Sequence, residues 1–134
     1  MFYDHGCGTL GDVHLLPAER ADRRVIDEDR VCAAVGSLDA ATIQEWSERF
    51  GLLSDPTRLS LLLCIRAAGP ISVTDLAVAV DQNPDTVSQT LRLLRASHTV
   101  STQRDGRVIR YQLVDPTISH LLDLAAAPAD TNGK

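Results

Sequence analysis

The chain has 134 residues, 44% hydrophobic and 23% charged, the composition of one folded domain rather than of a disordered, fibrous or disulfide-dense chain. Apolar runs such as Leu61–Ile65 break off within five residues, far short of the roughly 18 needed to cross a bilayer, and Met1–His5 opens no basic-then-apolar leader, so the expected location is the cytoplasm. The net charge of −5 argues, as an average, against a polyanionic partner, but it hides a gradient: residues 1–55 hold eleven acids against five arginines, whereas residues 86–111 hold five arginines (Arg92, Arg95, Arg104, Arg107, Arg110) and one acid, Asp105.

Residues 1–37 form a poor core. Gly6, Gly8 and Gly11 crowd the start, Pro17 follows, and charged stretches run through Glu19–Arg24 and Asp27–Arg30. We expect an N-terminal arm with a sensory role and a short helix near Asp29–Val35. Residues 38–127 are then the folded domain, and 128–134 a polar tail.

Asp39 can cap a helix to about Leu53, whose Ile43, Trp46, Phe50 and Leu53 recur at spacings of three and four. Asp55 and Pro56 cap and open a second helix to about Ala67, ended by Gly69-Pro70. Ser72 or Val73 opens a short third helix through Val80. After the turn Asp81–Pro84, Asp85 or the residue before it caps a fourth helix, Thr86 to about Ser97. Its inward face is Val87, Leu91 and Leu94; its outward face is Thr86, Ser88, Gln89, Thr90, Arg92 and Arg95, small, polar and basic. Val100–Gln103 and Arg107–Leu113 alternate as strands around Asp105-Gly106, a strong hairpin signal because glycine accepts a positive φ. Asp115-Pro116 starts a last helix, through Ile118, Leu121, Leu122 and Leu124 to about Ala127. The fold class is therefore mainly α with a small β-hairpin: two short helices joined by a tight turn and followed by a basic hairpin, a winged helix-turn-helix.

That order points to double-stranded DNA. The major groove admits one α-helix, so the inserted helix must be small and polar on its outer face. Ser88, Gln89 and Thr90 can reach base edges, with Thr86 beside them. Arg92 and Arg95 can meet phosphates, and Arg104 and Arg107 at the hairpin tip can track the backbone or the minor groove. Ile43, Trp46, Phe50, Ile118, Leu121 and Leu122 look like more apolar surface than one such domain buries, which predicts a homodimer.

The residues Leu53–Leu59 (Leu-Ser-Asp-Pro-Thr-Arg-Leu), Ile71–Ala77, Val87–Arg95 and Arg104–Leu113, in that order, resemble the ArsR/SmtB family of bacterial repressors, and the likeness spans about residues 43–124. The resemblance implies a homodimeric repressor built on its first and last helices, here 39–53 and 116–127. It also implies binding to a palindromic operator and release when a metal ion binds. The chain departs from the family pattern at several points. Thr90 stands where His is usual, and Ala96–Val100 lacks the usual glycine. Ser72, Val73 and Thr74 replace the thiol motif before the helix-turn-helix. Thr117, Pro128 and Thr131 break the metal pairs of the last helix.

The three cysteines, Cys7, Cys32 and Cys64, are odd in number and widely spaced, which reads as reduced thiols rather than a disulfide framework. Soft thiolates select Cd(II), Pb(II), As(III), Zn(II) or Cu(I), so these cysteines are the candidate metal ligands, with the arm closing over the core. Cys7 lies in a glycine-rich arm where packing does not explain it. Cys32 lies between Val31 and Ala33, and Cys64 within Leu61–Ile65, where burial alone accounts for an apolar side chain. His120 and Asp123 could make a hard-metal pair, though a solvated helix face is the better account of them. Other readings stay open here: the same thiols sensing oxidation, no metal at all, or a winged-helix protein-interaction module. An enzyme using Cys7 as nucleophile is not expected, because no base, phosphate loop or carboxylate pair accompanies it.

Overall fold

The structure, a computed structural model, describes residues 8–10, 13–15, 17–20 and 22–126. The chain divides into two compact units, 1–47 and 48–134.

In the first unit, β1 (Gly8–Leu10) and β2 (Val13–Leu15) pair antiparallel, with Thr9 opposite His14. A 3₁₀ turn follows at Ala18–Arg20, then helix α1 (Glu28–Gly36). Asp27 caps α1 by accepting from the Arg30 amide at 3.2 Å, and Glu28 and Asp29 add negative charge to its first turn. The helix buries Cys32 and Val35. Strand pairing so near the N-terminus was not expected from three spaced glycines.

Helix α2 (Ala40–Leu53) runs across the boundary at 47/48. Asp39 accepts from both the amide and the hydroxyl of Thr42, at 3.0 and 2.6 Å, as its sequence position predicts. None of its residues is buried.

The second unit holds α3 (Pro56–Ala68), β3 (Ile71–Ser72), α4 (Val73–Val80), α5 (Pro84–Ala96), β4 (Val100–Asp105), β5 (Val108–Leu113) and α6 (Pro116–Ala125). Three helices start on one device: Asp55, Asn83 and Asp115 each precede a proline at the first helical position and accept an amide of the first turn. So α5 is capped by Asn83, two residues before the expected Asp85, whose amide donates to Asn83 at 2.7 Å. The core is one cluster: Leu61, Leu62 and Ile65 of α3, Leu76 and Ala77 of α4, Val87, Leu91 and Leu94 of α5, Val100 of β4, and Ile118 and Leu122 of α6. Fully burying each such Leu or Ile is worth roughly 1.5–3 kcal/mol, which fixes the outward direction of α5.

The three strands run β3-β5-β4, antiparallel throughout, with Ile71 opposite Tyr111 and Thr102 opposite Tyr111 on the other side. The two-residue strand β3 was not expected, since its partner lies far along the chain, while Ser72 caps α4 where the sequence placed the helix start, accepting from the Asp75 amide at 3.2 Å. Gly69 makes this junction possible, since a Cβ there would sit 2.6 Å from the Ile65 carbonyl oxygen and 3.2 Å from that of Tyr111. In the wing hairpin Asp105 pairs with Val108, so the loop is Gly106-Arg107. Gly106 has φ +66° while Arg107 does not have a positive φ, the pattern of a II′ turn.

One expectation needs correcting. Ile118 and Leu122 are wholly buried in this unit's own core, so they cannot also supply a surface for a second copy. The large apolar side chains left exposed here include Phe50 (56%) and Leu124 (74%), with Ile43 (47%) exposed in the first unit. A one-sided stripe in sequence does not show which part of it the core will take.

Candidate nucleic-acid interface

The helix-turn-helix is α4, the turn Asp81–Asn83, and α5. Asp81 ends α4 in the left-handed region, φ 56°, and its amide donates to Val78 while that of Gln82 donates to Ala77. Both amides thus serve carbonyls that the helix end leaves open, which makes the turn tight without a glycine.

With Val87, Leu91 and Leu94 buried, the 3.6-residue period turns Thr86, Gln89, Arg92 and Leu93 outward. Thr86, Gln89, Arg92 and Arg95 are exposed, whereas Ser88 and Thr90 lie half-buried on the flanks. The Thr90 hydroxyl donates back to the Thr86 carbonyl at 3.0 Å. Of the three side chains expected to read bases, Gln89 is therefore the one that stands clear of the surface. Leu93 was not anticipated on this face.

The wing adds charge. Asp105 lies 3.5 Å from Arg110, so the hairpin's acid is answered within the hairpin. Gln103 donates to Gln112 at 3.0 Å across the outer face, and the Arg104 guanidinium donates to the Gly106 carbonyl at 3.3 Å, bracing the turn. Arg104 and Arg107 are exposed at the tip. Among the described residues no acid pairs with Arg92, Arg95, Arg104 or Arg107. Between the start of α4 and the wing runs an open groove of about 510 Å³, lined by Ser72, Asp75, Arg107 and Arg110 among others.

A helix-turn-helix domain family matches residues 53–98. The transcriptional repressor SmtB homolog of Synechocystis is 38% identical over 96 residues, covering 72% of this chain and 68% of that one. The regulator NmtR of Mycobacterium tuberculosis is 39% identical over 88 residues, 66% of this chain and 72% of its own. The chain belongs to the ArsR/SmtB family. Among solved structures, the AntR antimony-specific transcriptional repressor superposes with a TM-score of 0.61 at 31% identity, over 81% of this chain and 86% of that one. This ArsR/SmtB protein is a DNA-binding transcriptional repressor with the winged-helix fold.

The family motif Leu53–Leu59 now has a physical reading. Asp55 accepts from the Arg58 amide at 2.9 Å and so caps α3. The Arg58 side chain turns the other way, donating to the carbonyls of Leu52 at 3.0 Å and Gly51 at 2.8 Å, and so caps the end of α2. One tetrapeptide closes two helix ends.

The thiols divide. Cys32 is buried and disulfide-bonded, whereas the spacing pointed to three reduced thiols; sequence distance does not show which sulfurs a fold brings together. Cys64 is a free thiol, half-buried against the core. Cys7 lies outside the described residues, as do Ala127 and the tail 128–134. On α6, Asp115 is spent on capping and Asp123 on an ion pair with Arg66 at 2.7 Å. Among the described residues no group of three or more His, Cys, Asp or Glu could hold a metal. No described helix is long and apolar enough to cross a membrane.

Proposed function

We propose that this repressor, as a two-fold dimer, lays α5 into the major groove of a palindromic operator, and that thiol chemistry at Cys32 and Cys7 lifts it off. Thr86, Ser88, Gln89 and Thr90 lie along the groove, Gln89 making the direct base contact. Arg92, Arg95, Arg104 and Arg107 neutralise phosphates. The observation that carries this reading is the face of α5: polar, basic and outward because its other side is locked into the core. Phe50 and Leu124, exposed on the first and last helices of the domain, supply apolar contact between copies.

For the input, the donor set favours a soft ion. The carboxylates Asp115 and Asp123 of α6 are already engaged, while a cysteine thiolate such as that of reduced Cys32 selects soft ions such as Cd(II) or Pb(II). Cys7, outside the described residues, is the second thiol this reading requires; Cys64 is tested as a third. The names of relatives fit: an arsenical resistance repressor of Escherichia coli and a cadmium resistance regulator of Staphylococcus aureus are among them. Release needs a difference of only a few kcal/mol in DNA affinity between the two forms.

The disulfide at Cys32 also favours a second reading, oxidation itself as the signal. Two thiols would lose two electrons and two protons to a peroxide, which leaves as two waters. One experiment separates the two. Reduced protein on a fluorescent operator duplex is titrated with Cd(II), then with peroxide, following anisotropy and the ultraviolet thiolate-to-metal band, in wild type and in Cys7→Ser, Cys32→Ser and Cys64→Ser. The metal reading predicts a band and DNA release that both vanish in Cys7→Ser and Cys32→Ser. Release by peroxide alone transfers the assignment to oxidation. Release by Cd(II) in all three variants overturns the thiol input.

A further inference from the structure

Leu93 is out of place for a surface that reads polar edges. It is 47% exposed, although its neighbours Leu91 and Leu94 are completely buried, because the helical period carries it to the other side of α5. There it follows Gln89 by four residues and Thr86 by seven, so the three form one outward row, flanked by Arg92. An exposed leucine is ordinary on most surfaces. On this row, every other member is polar, and an apolar side chain pressed against hydrogen-bonding base edges would only desolvate them.

The major groove offers one apolar group: the 5-methyl of thymine. The edges of guanine, cytosine and adenine present donors and acceptors alone. Residues four apart on a helix stand about 5–6 Å from one another, between one and two base-pair steps of about 3.4 Å. We propose that Leu93 is a specificity residue that packs on a thymine methyl, one or two base pairs from the pair that Gln89 contacts. The inference rests on the reading of α5 as the groove helix and adds to it a contact with the thymine methyl, which a hydrogen bond cannot make.

The test uses full-length wild-type protein to select duplexes from a random library, then replaces each thymine of the selected site, one at a time, with deoxyuridine, which removes the methyl and leaves the pairing edge intact. One thymine in each half-site should show a loss of about fourfold in affinity, the worth of one buried methyl group. Leu93→Ala should bind more weakly and lose that sensitivity, while Leu93→Met should keep it. Thermal unfolding checks that the variants are folded, as substitution at a half-exposed position allows. If no thymine is sensitive in wild type, or if Leu93→Ala keeps the wild-type sensitivity, the inference is overturned while DNA binding stands. Failure of wild type to enrich any duplex would instead overturn the reading of α5 on which the inference rests.

Discussion

The amide of His98 donates to the carbonyl of Arg95 at 3.0 Å, and His98 itself takes φ 61°, which turns the following amide back toward the helix. The next amide, of Thr99, donates to Leu94 at 3.0 Å, so the end of α5 is closed by the pair of bonds that usually turns on a glycine. The resemblance to the ArsR/SmtB family implies a glycine within this stretch, and Ala96–Val100 has none. Left-handed backbone costs a non-glycine residue about 1–2 kcal/mol, against which glycine adds roughly 0.4–1 kcal/mol of unfolded-chain entropy. His98→Gly should therefore stabilise the protein by about 0.5 kcal/mol, read as a higher denaturant midpoint with an unchanged slope. A lower midpoint would show that the imidazole earns its place by a contact of its own.

Asp55 and Arg58 close two helix ends from within one motif. Asp55→Ala should cost about 1 kcal/mol through the lost cap of α3. Arg58→Met keeps the stem but removes both donations to Gly51 and Leu52, and should cost about 1–2 kcal/mol after allowance for solvent screening. Urea unfolding measures both. Changes within about 0.3 kcal/mol of wild type would remove the motif's structural explanation.

Helix ends were the most legible part of this chain. Asp39, Asp55-Pro56, Gly69-Pro70 and Asp115-Pro116 act where their chemistry says they should, and Asn83-Pro84 repeats the Asx-Pro device at α5, one that the neighbouring Asp85 obscured. The core face of α5 was legible too, because Val87, Leu91 and Leu94 share one side. Properties set by distant parts of the chain were not. Strand β3 is two residues long and exists only through β5. Ile118 and Leu122 could not be told from Leu124 as core or surface until α6 packed on α3 and joined the core cluster. The half-burial of Ser88 and Thr90 depends on such packing, and the disulfide at Cys32 could not be read from spacing, whereas the outward turn of Leu93 follows from the same period that points Leu91 and Leu94 inward.

The proposed dimer uses side chains that are exposed in one copy, Phe50 at 56% and Leu124 at 74%. Wild type should sediment as a dimer at micromolar concentration, and both Phe50→Glu and Leu124→Glu should shift it toward monomer while the helical circular dichroism is retained. A monomeric wild type, or variants that stay dimeric, would move the contact to another surface.

Arg107 is exposed in the turn at the wing tip, and the proposed reading gives it a phosphate contact. Arg107→Ala should weaken selected and random duplexes alike and lower the slope of log affinity against log salt by about 0.9 per lost phosphate contact, about 1.8 for a symmetric dimer. A loss confined to the selected sequence would make Arg107 a base reader instead.

The most direct measurement compares the reduced, metal-free wild type with Gln89→Ala on the selected duplex and on a scrambled duplex, by fluorescence anisotropy at fixed salt. If α5 is the helix in the groove and Gln89 its exposed reader, the substitution removes roughly 1–3 kcal/mol per half-site, a loss of at least about fivefold on the selected duplex, and leaves the scrambled duplex nearly unchanged. A Gln89→Ala protein that binds the selected site as tightly as wild type would contradict the placement of α5 as the DNA-reading helix.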